Sequence, residues 1–257
     1  MEVSEKIKIS TESRIRKIVL NRPEKKNALD LEMYNALADA MLAANDDEDV
    51  RVIYITGTAD SLCSGNDIQD FLKSPPTGEN SPVFRFIQAI VHAEKPIVAA
   101  VNGLAVGIGT TMLLHCDLVY ASDQARFQVP FVNIGICPEA GSTFLLPLLV
   151  GYQKAAEWLF LGGMFDANAA REAGIVTAVV PAAELEQVAM KAAARVAAQP
   201  PNSVKVTKGL LRTGLKDAMM AAVDRENRNF VPMLDLPEAQ EALNAFLEKR
   251  KPDFSKF

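Results

Sequence analysis

Short apolar runs alternate along the chain with longer stretches in which apolar residues recur every three or four positions. Residues 14–20 and 51–56 are rich in Ile and Val, which is typical of strands. Residues 30–44 between them have a helical repeat, and Asp30 is well placed to be the N-cap. The first elements are therefore predicted in the order strand, helix, strand.

The same alternation continues through the middle of the chain. It predicts helices over residues 82–92 and 109–115 and strands over residues 96–101, 118–120 and 175–180. Short strands that alternate with helices are typical of an α/β fold.

The last quarter of the chain has a different pattern. A helix is predicted over residues 183–198, and Gln199-Pro200-Pro201 should end it, because a residue before proline disfavours helical geometry. Residues 203–248 are almost entirely helical in pattern, with breaks near Pro232 and Pro237. We therefore expect an α/β core over residues 1–198 and a small helical module over residues 199–257.

Composition narrows the range of partners. The 257 residues are 49% hydrophobic and 23% charged, with a net charge of −5, which argues against general affinity for nucleic acid or an anionic membrane. Three cysteines without CxxC spacing and only two histidines provide no zinc motif, so no metal is expected. No apolar run approaches the roughly 18 residues of a membrane span, and the first ten residues lack a signal-peptide pattern.

Glu139 is a lone carboxylate in the apolar run of residues 132–149. Burial of an ionised Glu is costly and raises its pKa, which produces a base that works near neutral pH. The alternative is structural: Pro138-Glu139 could open a helix, with the carboxylate favoured by the helix dipole.

Two glycine-containing turns follow predicted strands, at residues 62–68 and 102–110. Turns of this kind present free backbone N–H groups. If the two turns lie side by side, one N–H from each can bind a single carbonyl oxygen and form an oxyanion hole. Taken alone, the glycines are equally compatible with tight turns that have no chemical role.

In order and spacing, these segments resemble the crotonase superfamily, the enoyl-CoA hydratase and isomerase family. The resemblance covers nearly the whole chain. Its motifs are IVLNRP at residues 18–23, NAL at 27–29, CSGNDI at 63–68, KPIVAAVNG at 95–103, CDL at 116–118, AREAGIV at 170–176 and FLEKR at 246–250.

The resemblance implies an α/β spiral of ββα turns with a C-terminal helical trimerisation module, assembled as a homotrimer or a dimer of trimers. It implies an acyl-CoA thioester as substrate and no separate cofactor, since CoA is part of the substrate. The backbone N–H groups of Asn66 and Ile108 would form the oxyanion hole. Further substrate-binding residues would be Lys25, Ala28, Leu29, Ser64, Gly65, Asp67, Ile68, Gly107, Thr111, Phe131, Phe246 and Lys249.

The catalytic positions depart from the hydratase pattern. Hydratases of this family use two glutamates, and Thr111 and Phe131 stand at those positions here. Glu139 instead stands where Δ3,Δ2-enoyl-CoA isomerases of the peroxisomal type carry their single catalytic glutamate. The resemblance thus implies an isomerase that uses Glu139 as general acid and base. Alternatives are a hydratase-like, hydrolytic or dehalogenating crotonase, or a non-catalytic acyl-CoA-binding scaffold.

Four further expectations concern Lys249, one loop, four other side chains and the location of the protein. Lys249 would reach the CoA phosphates of a neighbouring subunit, and residues 71–86 would form a mobile loop over the acyl pocket. Cys63, His92, His115 and Trp158 are interpreted as packed or surface residues rather than catalytic ones. A cytoplasmic location of the bacterial type is expected. A peroxisomal one is expected only for a eukaryotic source, because the final Ser-Lys-Phe is close to the Ser-Lys-Leu address.

Overall fold

The computed structural model describes residues 4–73 and 81–257. Strands in these ranges are β1 Ile7–Glu12, β2 Ile15–Leu20, β3 Val52–Gly57, β4 Ser61–Cys63, β5 Ile97–Val101, β6 Leu104–Val106, β7 Leu118–Ser122, β8 Arg126–Gln128, β9 Phe165–Asp166 and β10 Ala178–Val180. The helices are α1 Leu31–Asp46, α2 Ile68–Lys73, α3 Pro82–Val91, α4 Ile108–Thr111, α5 Ser142–Val150, α6 Tyr152–Leu161, α7 Ala167–Glu172, α8 Leu185–Ala197, α9 Pro201–Arg212, α10 Lys216–Met233 and α11 Pro237–Leu247.

The strands form two sheets. The larger has the order β1-β2-β3-β5-β7-β10 and is parallel except for the β1-β2 pair, while the smaller has the order β4-β6-β8-β9. Strands β3, β5 and β7 lie in the larger sheet, and the next strand after each, β4, β6 and β8, lies in the smaller one. The chain therefore winds as repeated ββα turns, and the predicted α/β spiral is confirmed.

Both faces of the larger sheet are buried. Ile53 and Ile97 belong to the main core, whereas Val52 and Val98 pack with Ala189 of α8 on the opposite face. Successive strand residues point to opposite faces, so a sheet covered on both sides needs apolar residues at every position. This explains why the strands appear in the sequence as unbroken apolar runs.

Most predicted elements form within a few residues of their expected bounds. Asp30 is the N-cap of α1, with its carboxylate accepting from Met33 N–H. Strand β1 was not predicted: Ile7 and Ile9 alternate with polar residues at its start, the rest of the strand is polar, and only Ile7 is buried. The helix predicted over residues 109–115 is shorter, since α4 ends at Thr111 and a 3-10 helix continues over Met112–His115.

The C-terminal region is helical, as predicted. Helix α8 ends at Ala197 and α9 begins at Pro201, so the prolines do interrupt the helical pattern. An additional break separates α9 from α10 at residues 213–215. Met219 and Phe230 of α10 join the main core, and the division into two domains stays a prediction.

Two structural observations concern membrane spans and metal sites. No helix in the described part of the chain is long and apolar enough to cross a bilayer. The same ranges contain no cluster of three or more His, Cys, Asp or Glu side chains that could hold a metal ion. The predicted loop over residues 71–86 is partly helical: residues 71–73 belong to α2 and residues 82–86 to α3, and residues 74–80 between them lie outside the described ranges.

Candidate active site

The two glycine turns lie side by side at the ends of paired strands. Strands β4 and β6 pair in parallel, which brings the residues that follow them to the same edge of the small sheet. Gly65 has φ +101° and Gly107 has φ +56°, a region that side chains disfavour. A Cβ on Gly65 would lie 3.3 Å from the carbonyl oxygen of Val106, so the turns are in close contact. The two turns therefore lie side by side, which is the arrangement that an oxyanion hole requires.

The candidate oxyanion donors have no competing backbone partner. Neither Asn66 N–H nor Ile108 N–H donates to a backbone carbonyl within the described ranges. Ile108 is the first residue of α4, where N–H groups are unsatisfied by the helix itself. The preceding N–H, that of Gly107, is already bonded to the Gln128 carbonyl at 2.9 Å. Asn66 and Ile108 thus offer one free N–H each.

Both donors line one cavity of about 610 Å³. Its wall contains most of the residues predicted to bind substrate, namely Lys25, Ala28, Ser64, Gly65, Asn66, Asp67, Ile68, Gly107, Ile108, Phe131 and Phe246. It also contains residues that sequence analysis did not select, namely Gln69, Phe71, Val106, Gln128, Pro130, Ile134, Ile136 and Leu247. The cavity combines an apolar wall with polar backbone at one edge, which suits an acyl thioester.

Four predicted site residues lie outside the cavity wall. Leu29 is buried beneath it, where its backbone binds the Asn66 turn by donating to the Gly65 carbonyl and accepting from Asp67 N–H, both at 2.8 Å. Lys249 is exposed just after α11. Thr111 and Glu139 are buried and are not among the residues that line the cavity, and they contact each other.

Glu139 is a buried carboxylate with one bonded oxygen. Only 4% of its surface is exposed, and Oε1 accepts a 2.5 Å hydrogen bond from Thr111 Oγ1. Oε2 is buried without a hydrogen-bond partner in the described ranges. Thr111 is three residues after Ile108 on α4, so the carboxylate contacts the same short helix that begins with an oxyanion donor.

Burial sets the ionisation of Glu139. Loss of water raises the pKa of Glu139 to about 8, the Thr111 hydrogen bond opposes this increase, and the charge of Glu226 adds to it. Of the apolar residues near Glu139 in the sequence, Phe131, Ile134 and Ile136 line the cavity, whereas Phe144 does not.

The alternative interpretation, in which Pro138-Glu139 opens a helix, is wrong. Helix α5 begins at Ser142, three residues after Glu139, and not at this pair. Ala140 and Gly141 between them are both left-handed, with φ values of 58° and 71°. Glu139 therefore lies in a turn before the helix.

Three polar residues around this site were not predicted to contact it. Tyr34 Oη donates to the Asn66 side-chain oxygen, and His115 Nε2 lies 2.7 Å from the Ala140 carbonyl oxygen. Glu226 of α10 accepts from Gly141 N–H and Thr143 N–H at 2.6 and 2.8 Å. A signal for Glu226 was available, because it shares the buried stripe of α10 with Val223 and Phe230.

The residues interpreted as structural occupy structural positions. Cys63 is buried, and burial raises the pKa of its thiol to about 12. His92 is exposed, His115 is fully buried, and Trp158 packs in the main core. Asp67 bonds Gln69 N–H at 3.0 Å and pairs with Arg22 at 2.8 Å, which stabilises the turn after Asn66.

Comparison with known proteins identifies the class of protein that this fold and site define. The family model described as enoyl-CoA hydratase/isomerase matches residues 10–256, and the chain belongs to that family. A crystal structure of an enoyl-CoA hydratase/isomerase from Pseudoalteromonas atlantica has a TM-score of 0.93 and 43% identity. The match covers 98% of this chain and 100% of that one.

Curated relatives carry more than one activity name. Enoyl-CoA delta isomerase 2 of Rattus norvegicus is 38% identical over 87% of this chain, and the match spans only 58% of that protein's length. The 2,3-dehydroadipyl-CoA hydratase of Escherichia coli is 32% identical over 96% of this chain and 97% of its own length. The comparisons therefore support an acyl-CoA enzyme of the crotonase family, with isomerases and hydratases at similar identity.

Proposed function

We propose that the chain is a Δ3,Δ2-enoyl-CoA isomerase that uses Glu139 as its single acid and base. One observation carries the proposal: a buried carboxylate with a pKa raised to about 8 contacts the helix that begins with a free oxyanion donor. By family resemblance, the two positions where hydratases carry glutamates hold Thr111 and Phe131. Both hydratase glutamates are therefore absent, and Glu139 is the one carboxylate that the proposal assigns to catalysis.

The proposed reaction moves one proton. Ionised Glu139 removes a proton from C2 of a 3-enoyl-CoA, the C2–H electrons form a C1=C2 bond, and the carbonyl π electrons move onto the thioester oxygen, which gives a dienolate. The oxygen electrons then re-form the carbonyl, the C1=C2 electrons form the C2=C3 bond, and the C3=C4 electrons take the proton back from Glu139 at C4, which leaves the conjugated 2-enoyl thioester and regenerates the carboxylate. A single group suffices, because the proton that leaves C2 is the one that C4 receives.

The oxyanion turns stabilise the intermediate of this reaction. Removal of the C2 proton places negative charge on the thioester oxygen, and the N–H groups of Asn66 and Ile108 are free to bind it. Each such donor contributes about 2.7 to 4 kcal/mol in enzymes where one was removed. A positioned base contributes about 10² to 10⁴ in rate.

The ionisation of Glu139 suits this role. A base is most effective when its pKa lies near the working pH, and burial raises the pKa of Glu139 to about 8. The carboxylate must come within about 2.6 to 3.2 Å of the C2 proton donor, a contact that often tightens only when substrate binds. Oε2, which is buried without a hydrogen-bond partner in the described ranges, would make that contact.

The CoA portion is proposed to bind along the first loop. Lys25 is exposed at the cavity wall, and Ala28 lies in the wall beside it. A Lys ammonium is a suitable partner for the phosphates of CoA. Lys249 is exposed, which is compatible with a phosphate contact across a subunit interface.

Assembly as a homotrimer or a dimer of trimers is part of the proposal. Leu210 and Leu211 of α9 are 70% and 75% exposed, and Val206 on the same helix is 59% exposed. Apolar side chains clustered on an exposed helix support burial in a subunit interface.

The first experiment compares wild type with Glu139→Gln on a 3-enoyl-CoA of medium chain length. The appearance of the conjugated 2-enoyl thioester is followed by absorbance, and any hydrated product by chromatography. Wild type should isomerise without hydration, and the variant should lose about 10² to 10⁴ of the rate. Glu172→Gln, which removes an exposed carboxylate on α7, is the matched control and should keep full activity.

Hydration is the second candidate, because the hydratase of E. coli is similar along nearly its whole length. Formation of a 3-hydroxyacyl-CoA by wild type as the main product would favour it over isomerisation. A covalent acyl or aryl adduct on Glu139 would favour a hydrolase or dehalogenase. Tight acyl-CoA binding with no turnover of any thioester would favour a scaffold.

A further inference from the structure

Glu226 is a buried carboxylate that the proposed reaction does not use. It lies on α10, in the C-terminal helical region, and only 4% of its surface is exposed. Its neighbours on the same helix stripe, Val223 and Phe230, are apolar core residues. A charge at such a position is costly unless several donors surround it.

The donors around Glu226 all come from the turn after Glu139. Oε2 accepts from Gly141 N–H at 2.6 Å, and Oε1 accepts from Thr143 N–H at 2.8 Å and Thr143 Oγ1 at 2.6 Å. Every one of these contacts suits an ionised carboxylate. The carboxylate also lies at the N-terminus of α5, where negative charge is favoured.

The turn that Glu226 holds has an unfavourable backbone conformation. Ala140 has φ 58° and Gly141 has φ 71°, and a left-handed conformation is costly for an alanine. His115 supports the same turn from the other side, through a 2.7 Å contact between Nε2 and the Ala140 carbonyl oxygen. The two residues that follow Glu139 are thus each tied to a buried side chain distant in sequence.

We propose that Glu226 is a positioning residue for the catalytic carboxylate. By holding the left-handed turn at residues 140–143, it fixes the direction in which Glu139 leaves the backbone and so places its carboxylate against Thr111. This inference rests on the proposed function, since it takes Glu139 to be the base. It also gives the C-terminal helical region a direct part in the active site, besides any part in assembly.

The role also has an electrostatic side. Glu226 adds to the increase in the pKa of Glu139. Of the other titratable groups around this turn, four are neutral near pH 7, because burial keeps the phenol and thiols protonated and the imidazole unprotonated; they are Tyr34, Cys63, Cys137 and His115. Burial raises the pKa of Glu226, whereas its contacts with Thr143 and Gly141 and the positive charge of Arg225 lower it and favour the ionised form. Removing the charge of Glu226 should therefore lower the pKa of Glu139.

The experiment compares Glu226→Gln with wild type in steady-state isomerisation over a range of pH. Gln presents an amide N–H₂ to one of three donors, which should displace the turn. We expect kcat to fall by about 10²-fold, as for a displacement of about 1 Å. KM should stay within about twofold because Glu226 does not line the cavity, and the rise of kcat with pH should move to lower pH.

Asp224→Asn is the matched control. Asp224 is exposed on the same helix, two residues away, and its loss should leave kcat, KM and the pH profile unchanged. Wild-type kcat and pH profile in Glu226→Gln would overturn the proposal, as would an equal loss in Asp224→Asn.

A second variant and a second measurement keep the test decisive. Should Glu226→Gln fail to fold, Thr143→Ala removes one donor to Glu226 and keeps both carboxylates. It should lower kcat at unchanged KM, and wild-type kcat would overturn the proposal.

Carboxyl-carbon NMR of ¹³C-Glu-labelled protein measures the titration of Glu139 and needs no turnover. The Glu139 signal is assigned by its absence in Glu139→Gln. If wild type isomerises nothing, the proposed function fails by itself. The inference then stands or falls on whether Glu226→Gln shifts the Glu139 titration to lower pH.

Discussion

The two halves of the candidate site are held in different ways. The oxyanion turns are held by backbone: β4 and β6 pair, and Gly65 and Gly107 adopt conformations that glycine tolerates. The Glu139 turn is held by side chains, because Thr111, His115 and Glu226 each contact Glu139 or its turn. One half depends mainly on backbone pairing and glycine conformation, and the other on side-chain contacts.

The two halves of the site therefore place different requirements on the sequence. An N–H donor comes from any residue, so Asn66 and Ile108 can be replaced if the glycines before them remain. A base with a raised pKa needs a carboxylate, a dry environment and polar partners that do not displace it. We therefore expect the oxyanion half to be sensitive to backbone changes and the carboxylate half to be sensitive to charge and hydrogen bonding.

Gly65→Ala should have the largest effect of the changes that test this comparison. Gly65 has φ +101°, and the added Cβ would lie 3.3 Å from the Val106 carbonyl oxygen, so the turn must move and displace Asn66 N–H. We expect kcat to fall by about 10² to 10³, as for the loss of one oxyanion donor. The pH at which kcat rises should stay unchanged, because Glu139 keeps its surroundings.

Gly163→Ala provides the control for that variant. Gly163 is exposed, and an added Cβ meets nothing within 4 Å, so kcat should equal that of wild type. A shift of the pH profile in Gly65→Ala would mean that the two halves of the site are coupled, which contradicts the comparison.

The oxyanion half could be predicted from sequence for a physical reason. Each turn is a local unit, a strand followed by glycine and a helical segment, and the pattern at residues 62–68 and 102–110 shows all three parts. Pairing of their strands follows from the ββα order. The resemblance of the motifs then singled out Asn66 and Ile108, and the structure places both in one cavity wall.

The carboxylate half could be predicted only in part. Glu139 stands out as a lone charge in an apolar run, but its partners are far away in the chain. His115 is 25 residues from Ala140, and Glu226 is 85 residues from Gly141. No local pattern encodes contacts over such separations. Strand β1 was missed because it is an edge strand whose alternation of apolar and polar residues is limited to Ile7 and Ile9.

Thr111→Val tests the carboxylate half and should have an intermediate effect. The hydrogen bond from Thr111 lowers the pKa of Glu139, so its loss should raise that pKa above about 8. The ionised base becomes scarcer at neutral pH, and each added pKa unit should lower kcat near pH 7 by about tenfold. A kinetic titration measures the shift, and kcat should approach the wild-type value at high pH.

Thr111→Ser keeps the hydroxyl and is the control for that change, with an unchanged profile expected. A loss of kcat in Thr111→Val that is equal at every pH would contradict the ionisation argument. It would show that Thr111 acts through geometry alone, and the contrast between the two halves would weaken.

Tyr34→Phe should have the smallest effect, and it tests whether side chains also matter in the oxyanion half. Tyr34 Oη donates to the Asn66 side-chain oxygen, while Asn66 binds the oxyanion through its backbone N–H. Loss of one such hydrogen bond costs about 1 kcal/mol, so kcat/KM should fall about fivefold without a change in the pH profile.

Tyr54→Phe is the matched control, because the Tyr54 hydroxyl is buried without a hydrogen-bond partner in the described ranges. A fall of about 10²-fold or more in Tyr34→Phe would contradict the comparison, since it would mean that the oxyanion half depends on a buried side chain as strongly as the carboxylate half does.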